Sequence, residues 1–136
     1  MIEEQLVSYT KQLALELELS DNLKSDKPDS YVFTFSKTID VNIKTISEGF
    51  FFSSDLGLCP EKNSEEFFML TMHANLFGLG TGGGIIGLND EGKKLIFSLY
   101  YPKKTSYKQF KDLVEDFVNW VDMWLKKSED ARAYAS

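Results

Sequence analysis

Four groups of residues in this sequence have types and spacings that could do chemistry. Gly78-Leu79-Gly80-Thr81-Gly82-Gly83 satisfies the Gly-x-Gly-x-x-Gly spacing with which a tight turn brings backbone N–H groups against a pyrophosphate. In dinucleotide sites that turn follows a strand and opens a helix. Here a helical pattern precedes the glycines and a strand pattern follows them, and no Lys-Ser/Thr pair completes a phosphate loop. The spacing reads instead as a helix stop followed by a strand that begins where two backbones approach closely, as at a subunit interface. Cys59 and His73 could form a thiolate–imidazole pair if the fold brought them together. Cys59 precedes Pro60 without a glycine turn to build an oxyanion hole, and His73 falls in mid-helix between two apolar arcs. A buried small side chain and an interfacial polar one are the better readings. Glu65-Glu66 and Glu115-Asp116 are adjacent carboxylates, but sequence neighbours do not share a helix face. The first pair suits a helix start and the second a solvated face, rather than acid/base work.

The elements that position these residues follow from periodicity. Ile2, Leu6, Tyr9, Leu13 and Leu17 recur at steps of three and four and predict an amphipathic helix. Ser20 to Ser30 is polar around Pro28 and predicts a long surface loop. The period then changes to two at Tyr31, Phe33 and Phe35, at Val41 and Ile43, and after Gly49 at Phe50-Phe51-Phe52, predicting a meander of three strands. A second helix follows Pro60, with Asn63 or Ser64 as N-cap, Glu66 in an Asn-x-x-Glu capping box, and Gly78 as its stop. At about 100° per residue, Phe67, Leu70, Ala74 and Phe77 fall on one side and Phe68, Met69, Met72 and Leu76 on the other. Two apolar arcs need two partners: the protein's own sheet, and most simply a second copy of the chain. Ile85 to Leu88 and the stretch through Leu95, Phe97, Leu99 and Tyr101 predict a hairpin turning at Gly92. The last helix starts at a Ser106-x-x-Gln109 capping box and carries Phe110, Leu113, Val114, Phe117, Trp120, Val121 and Trp124. The order is α-β-β-β-α-β-β-α, an α+β fold of antiparallel sheet packed with helices. Residues 1–127 form one domain and 128–136, without an apolar stripe, a flexible tail.

Composition narrows the function classes. With 136 residues, 43% of them hydrophobic, the chain suits one compact domain. Twenty-one Asp and Glu against 15 Lys and Arg leave a net charge of -6, which disfavours nucleic acid as a partner. Arg132 is the sole arginine, so bidentate phosphate recognition is nearly absent. The acidic start Met1-Ile2-Glu3-Glu4 is unlike a presequence and the apolar runs are too short to span a bilayer, so a cytosolic, membrane-free location is expected. One cysteine and one histidine cannot supply a structural zinc site, and no metal or other cofactor is implied. Nineteen aromatic residues, some on both faces of strands, exceed what one helix layer covers, which fits either a generously packed core or apolar grooves kept for a partner chain.

The stretch Ala74-Asn75-Leu76-Phe77-Gly78-Leu79-Gly80-Thr81-Gly82-Gly83-Gly84-Ile85-Ile86-Gly87-Leu88 resembles the class I type III secretion chaperones, the Tir-chaperone (CesT/SycE) family. That family joins its second helix to its fourth strand through an Ala-Asn-Leu-Phe/Leu-Gly-x-Gly-Thr-Gly-Gly segment. The Gly92 hairpin and the helix Phe117 to Trp124 extend the resemblance over Leu56 to Lys127, while the first half carries no family signature. The resemblance implies a non-enzymatic, cytoplasmic bacterial homodimer that binds the N-terminal segment of a secreted effector without ATP, with the secretion ATPase as a further partner. It implies a dimer contact at Phe68, Met69, Met72, Leu76, Ile85 and Ile86. An extended client would enter a groove of apolar residues, for which Leu13, Leu17, Phe33 and Phe35 are the candidates. A non-secretory binding module on the same fold and a small enzyme using Cys59 and His73 are the competing readings.

Overall fold

A computed structural model describes residues 2–18, 23–27, 30–36, 39–46, 49–61, 64–102 and 105–134. Along the chain these form α1 (Ile2–Glu16), β1 (Leu23–Lys27), β2 (Ser30–Thr34), β3 (Asp40–Ile46), β4 (Gly49–Leu58), α2 (Ser64–Asn75), β5 (Ile85–Leu88), β6 (Lys94–Tyr101) and α3 (Tyr107–Tyr134). The six strands make one antiparallel sheet in the order β1-β2-β3-β4-β6-β5. The first four strands form a meander. The chain then leaves the sheet through α2 and returns as the β5–β6 hairpin, with β6 against β4.

Period-two alternation gives the sheet two chemically different faces. Tyr31, Phe33, Val41, Ile43, Phe50, Phe52, Leu95 and Phe97 are buried, while Asn42, Lys44, Asp55 and Tyr100 on the opposite face are exposed. α3 crosses the buried face. The Phe110 ring meets those of Phe50 and Phe52 at centroid distances of 5.3 and 6.1 Å, and Phe117 meets Phe52 and Phe97 at 5.7 and 5.3 Å. α1 joins this layer through Tyr9, whose ring packs against Phe50 and Phe110 and whose hydroxyl donates to Thr105 O at 2.8 Å. Leu6, Leu13 and Thr10 of α1 are fully buried, and Thr10 satisfies its own hydroxyl by donating to Leu6 O. Lys111 bridges to Glu16 at 2.9 Å, and that hydrogen bond holds the Glu16 carboxyl below the usual range. The opposite face carries mixed polar and apolar side chains, with Lys44 Nζ over the half-buried Phe51 ring.

The expected capping box of α3 is present: Ser106 N donates to Gln109 Oε1 and Gln109 N to Ser106 Oγ. Three other expectations need correction or fall outside the description. The polar stretch read as a loop holds β1, paired with β2 through Leu23↔Phe33 and Lys24↔Val32. Its sequence, LKSDK, has no apolar alternation because an edge strand is made by backbone pairing and is kept polar against stray pairing. The stretch after Lys127, read as a tail, continues α3 to Tyr134, while residues 135–136 lie outside the described residues. Polar anchors do the work that an apolar stripe would: Ser128 is buried with its hydroxyl donating to Trp124 O, and Arg132 Nη1 donates to Leu58 O at 2.8 Å. Asn63, a candidate N-cap, also lies outside the described residues.

Phe110 touches three rings of the sheet and α1 at once. Phe110→Ala is therefore expected to lower the unfolding free energy by about 3–5 kcal/mol. Urea denaturation followed by far-UV circular dichroism checks the value, with Lys108→Ala, an exposed residue of the same helix, as the near-neutral reference.

Candidate functional site

α2 divides into two faces, though not along the line expected. Phe67, Thr71 and Ala74 are buried, and Thr71 donates its hydroxyl to Phe68 O. Met69, Met72 and Leu76 point to solvent, with Met72 70% exposed, and Phe68 is half-buried between the faces. Leu70 and Phe77 were expected on the inner arc and are instead exposed. Phe77 leaves it because the helix ends at Asn75 and a 3-10 turn at Leu76–Gly78 takes Phe77 to φ 54, ψ 15, in the left-handed region. The ring is 89% exposed and Leu79 beyond it 77%. Ile85 and Leu88 of β5 are exposed as well, whereas Ile86, expected at the same contact, is buried because strand alternation turns it into the core. Seven large apolar side chains thus face water from one helix face, the turn after it and the adjoining strand, with Leu70 exposed on the other arc of α2. At these exposures the seven together present on the order of 800 Å², the share one partner gives to a standard interface.

The glycine loop that carries this surface is held from beneath. Gly80 N donates to Ala74 O, Gly83 N to Gly78 O, and Thr81 Oγ1 to Gly84 O at 2.6 Å. Two tryptophans of α3 complete the anchorage. Trp124 Nε1 donates to Gly80 O at 3.0 Å, and the Trp120 indole occupies the place where a Cβ at Gly82 would stand. The sheet edge beside the loop is closed by side chains of the same chain. Asn75 Nδ2 donates to Ile86 O and Asn75 Oδ1 accepts from Ile86 N, both at 2.9 Å, in the manner of one more strand residue. Any partner at this face must therefore engage side chains rather than add a strand to β5.

Each of the four chemistry-bearing groups has a defined setting in the fold. The amides of Leu79, Gly80, Thr81, Gly83 and Gly84 donate to carbonyls of the same segment, so these N–H groups do not converge on an anion. Cys59 follows β4 half-buried, its amide bonded to Lys93 O, and burial raises its thiol pKa, which disfavours the thiolate. His73 is exposed on the outer face of α2. Glu65 and Glu66 sit in the first turn of α2, and Glu115 and Asp116 are exposed on α3. Among the described residues no three His, Cys, Asp or Glu side chains group to hold a metal ion, and no helix is long and apolar enough to cross a membrane.

The four groove candidates divide evenly. Leu13 and Phe33 have no exposed surface and belong to the core, because the helix stripe and strand alternation that made them conspicuous also turn them inward. Leu17 and Phe35 are half-buried at its edge, Phe35 in ring contact with Phe33 at 5.7 Å. Leu15, 72% exposed on the side of α1 turned away from Leu13, is a surface residue that the stripe did not single out. A leucine facing water on the polar side of an amphipathic helix is the signal that could have found it.

A model of the Tir chaperone protein (CesT) family matches residues 9–125. A protein of Chlamydia pneumoniae is 29% identical over 122 residues, covering 88% of this chain and 93% of its own. Among solved structures, a chain of the ExsC–ExsE complex superposes with TM-score 0.76 at 11% identity, covering 93% of this chain and 96% of that one. The ExoU–SpcU heterodimer from the type III secretion system of Pseudomonas aeruginosa gives TM-score 0.67 at 12% identity, covering 88% and 94%. The HopA1–SchA chaperone–effector complex gives 0.66 at 16%, covering 87% and 94%. At these identities the solved structures establish a shared fold.

Because Trp120 fills the space above Gly82, whose φ is +62, Gly82→Ala must displace the indole and strain the backbone together. The variant is expected to lose at least about 2 kcal/mol and to red-shift tryptophan emission before unfolding. Denaturation monitored by fluorescence reads both; Gly87→Ala, with open space around its Cβ position, should do neither.

Proposed function

The chain belongs to the Tir chaperone (CesT) family, and we propose that it acts as a non-enzymatic type III secretion chaperone whose homodimer holds the N-terminal segment of an effector in extended form. The observation that carries this reading is the family match, which runs from residue 9 within α1 to residue 125 within α3. The fold supplies what the task needs. One helix layer covers one face of the sheet, and the apolar surface left over is presented on rigid elements rather than enclosed in a pocket. Burial of that surface needs no nucleotide, and capture of an extended chain draws on many modest contacts to offset the entropy of ordering it.

The two surfaces take different partners in this reading. The face of α2 with Met69, Met72, Leu76 and Ile85 meets a second copy, and Phe68 lies at its margin. The client lies against the edge of α1 and the sheet, at Leu17 and Phe35, over a floor that includes Leu13 and Phe33. In this reading backbone pairing falls at the β1 end of the sheet, since at the β5 end the backbone of Ile86 is bonded to Asn75. The described chain works as one domain, with the end of α3 fastened to β4 through Arg132.

Isothermal titration with synthetic N-terminal segments of type III substrates encoded in the same genome tests the proposal. At least one segment should bind in nucleotide-free buffer with a negative heat-capacity change. Failure of every segment to bind would overturn the chaperone reading. Phe35→Asp and Leu17→Asp should each weaken capture about tenfold or more with the circular dichroism spectrum unchanged, because neither residue lies wholly in the core. Phe33→Asp should instead unfold the protein, since it buries an unpaired charge. Unaltered affinity in both folded variants would move the client elsewhere on the surface.

A further inference from the structure

Phe77 combines two costs that an isolated monomer has no reason to bear. Among the described residues the non-glycine positions with positive φ are Glu18 and Phe77, and at Phe77 that backbone belongs to a bulky aromatic residue. The position would suit glycine or asparagine with less strain. The same residue is 89% exposed, the largest fraction among the exposed apolar side chains. Strain held by a surrounding structure that over-determines it is a pointer to function, and the loop here is over-determined. The bonds from Gly80 to Ala74, from Gly83 to Gly78 and from Trp124 to Gly80 fix the segment from three sides. The outcome is an aromatic ring held outward on a rigid support, the form a pre-organised interface anchor takes.

We propose that Phe77 is the anchor of the homodimer contact, a pre-formed knob that the second copy buries and that extends the contact beyond α2 and β5 into the glycine loop. This rests on the homodimer reading above. A second copy is the occupant because the surface complements itself. α2 opens with Glu65 and Glu66 and carries His73 in its last turn, so two copies running antiparallel about a two-fold axis bring carboxylates toward imidazole and oppose their helix dipoles. In that arrangement the residue just past the end of one helix lies beside the start of the other, which is where Phe77 stands. The area is that of a standard interface. An extended client fits this face less well, because the backbone of Ile86, which it would pair with, is already bonded to Asn75.

Sedimentation velocity over a concentration series tests the assignment with Phe77→Asn, which accepts the left-handed backbone and removes the ring. The dimer dissociation constant should rise at least 100-fold, with circular dichroism and tryptophan emission as in the unaltered protein. Phe77→Gly, which also relieves the backbone, covers the case in which asparagine disturbs the loop. It should weaken the dimer equally while raising the unfolding midpoint of the dissociated monomer. Folded variants that dimerise with the unaltered constant would overturn the proposal. Loss of client binding with the dimer intact would overturn it too and reassign Phe77 to the client. An unaltered protein that is monomeric at micromolar concentration would instead overturn the homodimer reading beneath it.

Discussion

The packing of α3 is the constraint from which the other features follow. Its inward stripe runs from Phe110 through Val114, Phe117 and Val121 to Trp124, all at most 2% exposed. The first part of that stripe meets the rings of Phe50, Phe52 and Phe97 and so fixes which face of the sheet is interior. The last part serves a different purpose. Trp124 spends its indole N–H on Gly80 O and the neighbouring Trp120 lies on Gly82, so the helix that closes the core also sets the glycine loop. With the loop fixed, Leu79 and Phe77 have nowhere to go but outward, and α2 must present its second arc to solvent. One helix thereby determines both what is buried and what is left exposed.

That division suits the molecule to binding other chains. Groups that elsewhere do chemistry are here engaged structurally: glycine amides close turns, the thiol is raised by burial, and Asn75 acts as an extra strand residue along β5. The sealed β5 edge matters as much as the apolar face beside it. A protein with exposed apolar surface next to an open strand edge invites uncontrolled pairing. Asn75 leaves the face available for side-chain packing while closing the backbone to strand addition. The polar β1 strand gives the far end of the sheet a different character, suited to pairing without an apolar face to drive aggregation.

Much of this was legible in the residues. The stripes of α1 and α3, the Ser106-x-x-Gln109 box, strands β2 to β4 and the Gly92 hairpin are all where periodicity and turn chemistry put them. The two-sided character of α2 was legible as well, since apolar arcs at opposite angles cannot both face one core. What escaped depends on long-range contacts. β1 exists because β2 offers it a ladder, and LKSDK carries no trace of that neighbour. The last turns of α3 are held by Arg132, whose partner Leu58 lies 74 positions away. Phe77 belonged to the inner arc on any regular helix, and the early end of α2 moved it to the outside. Leu13 and Phe33 show the complementary error: the strongest apolar signals mark burial in the core rather than a surface groove.

In the proposed assembly two copies joined through α2 hold one extended client segment. The most direct test is a native mass spectrum of the complex with a bound N-terminal segment. Two chains of 15.5 kDa with one segment are predicted, and this assembly should persist when the unbound segment is removed. A complex of one chain with one segment, with the α2 face still open, would contradict it.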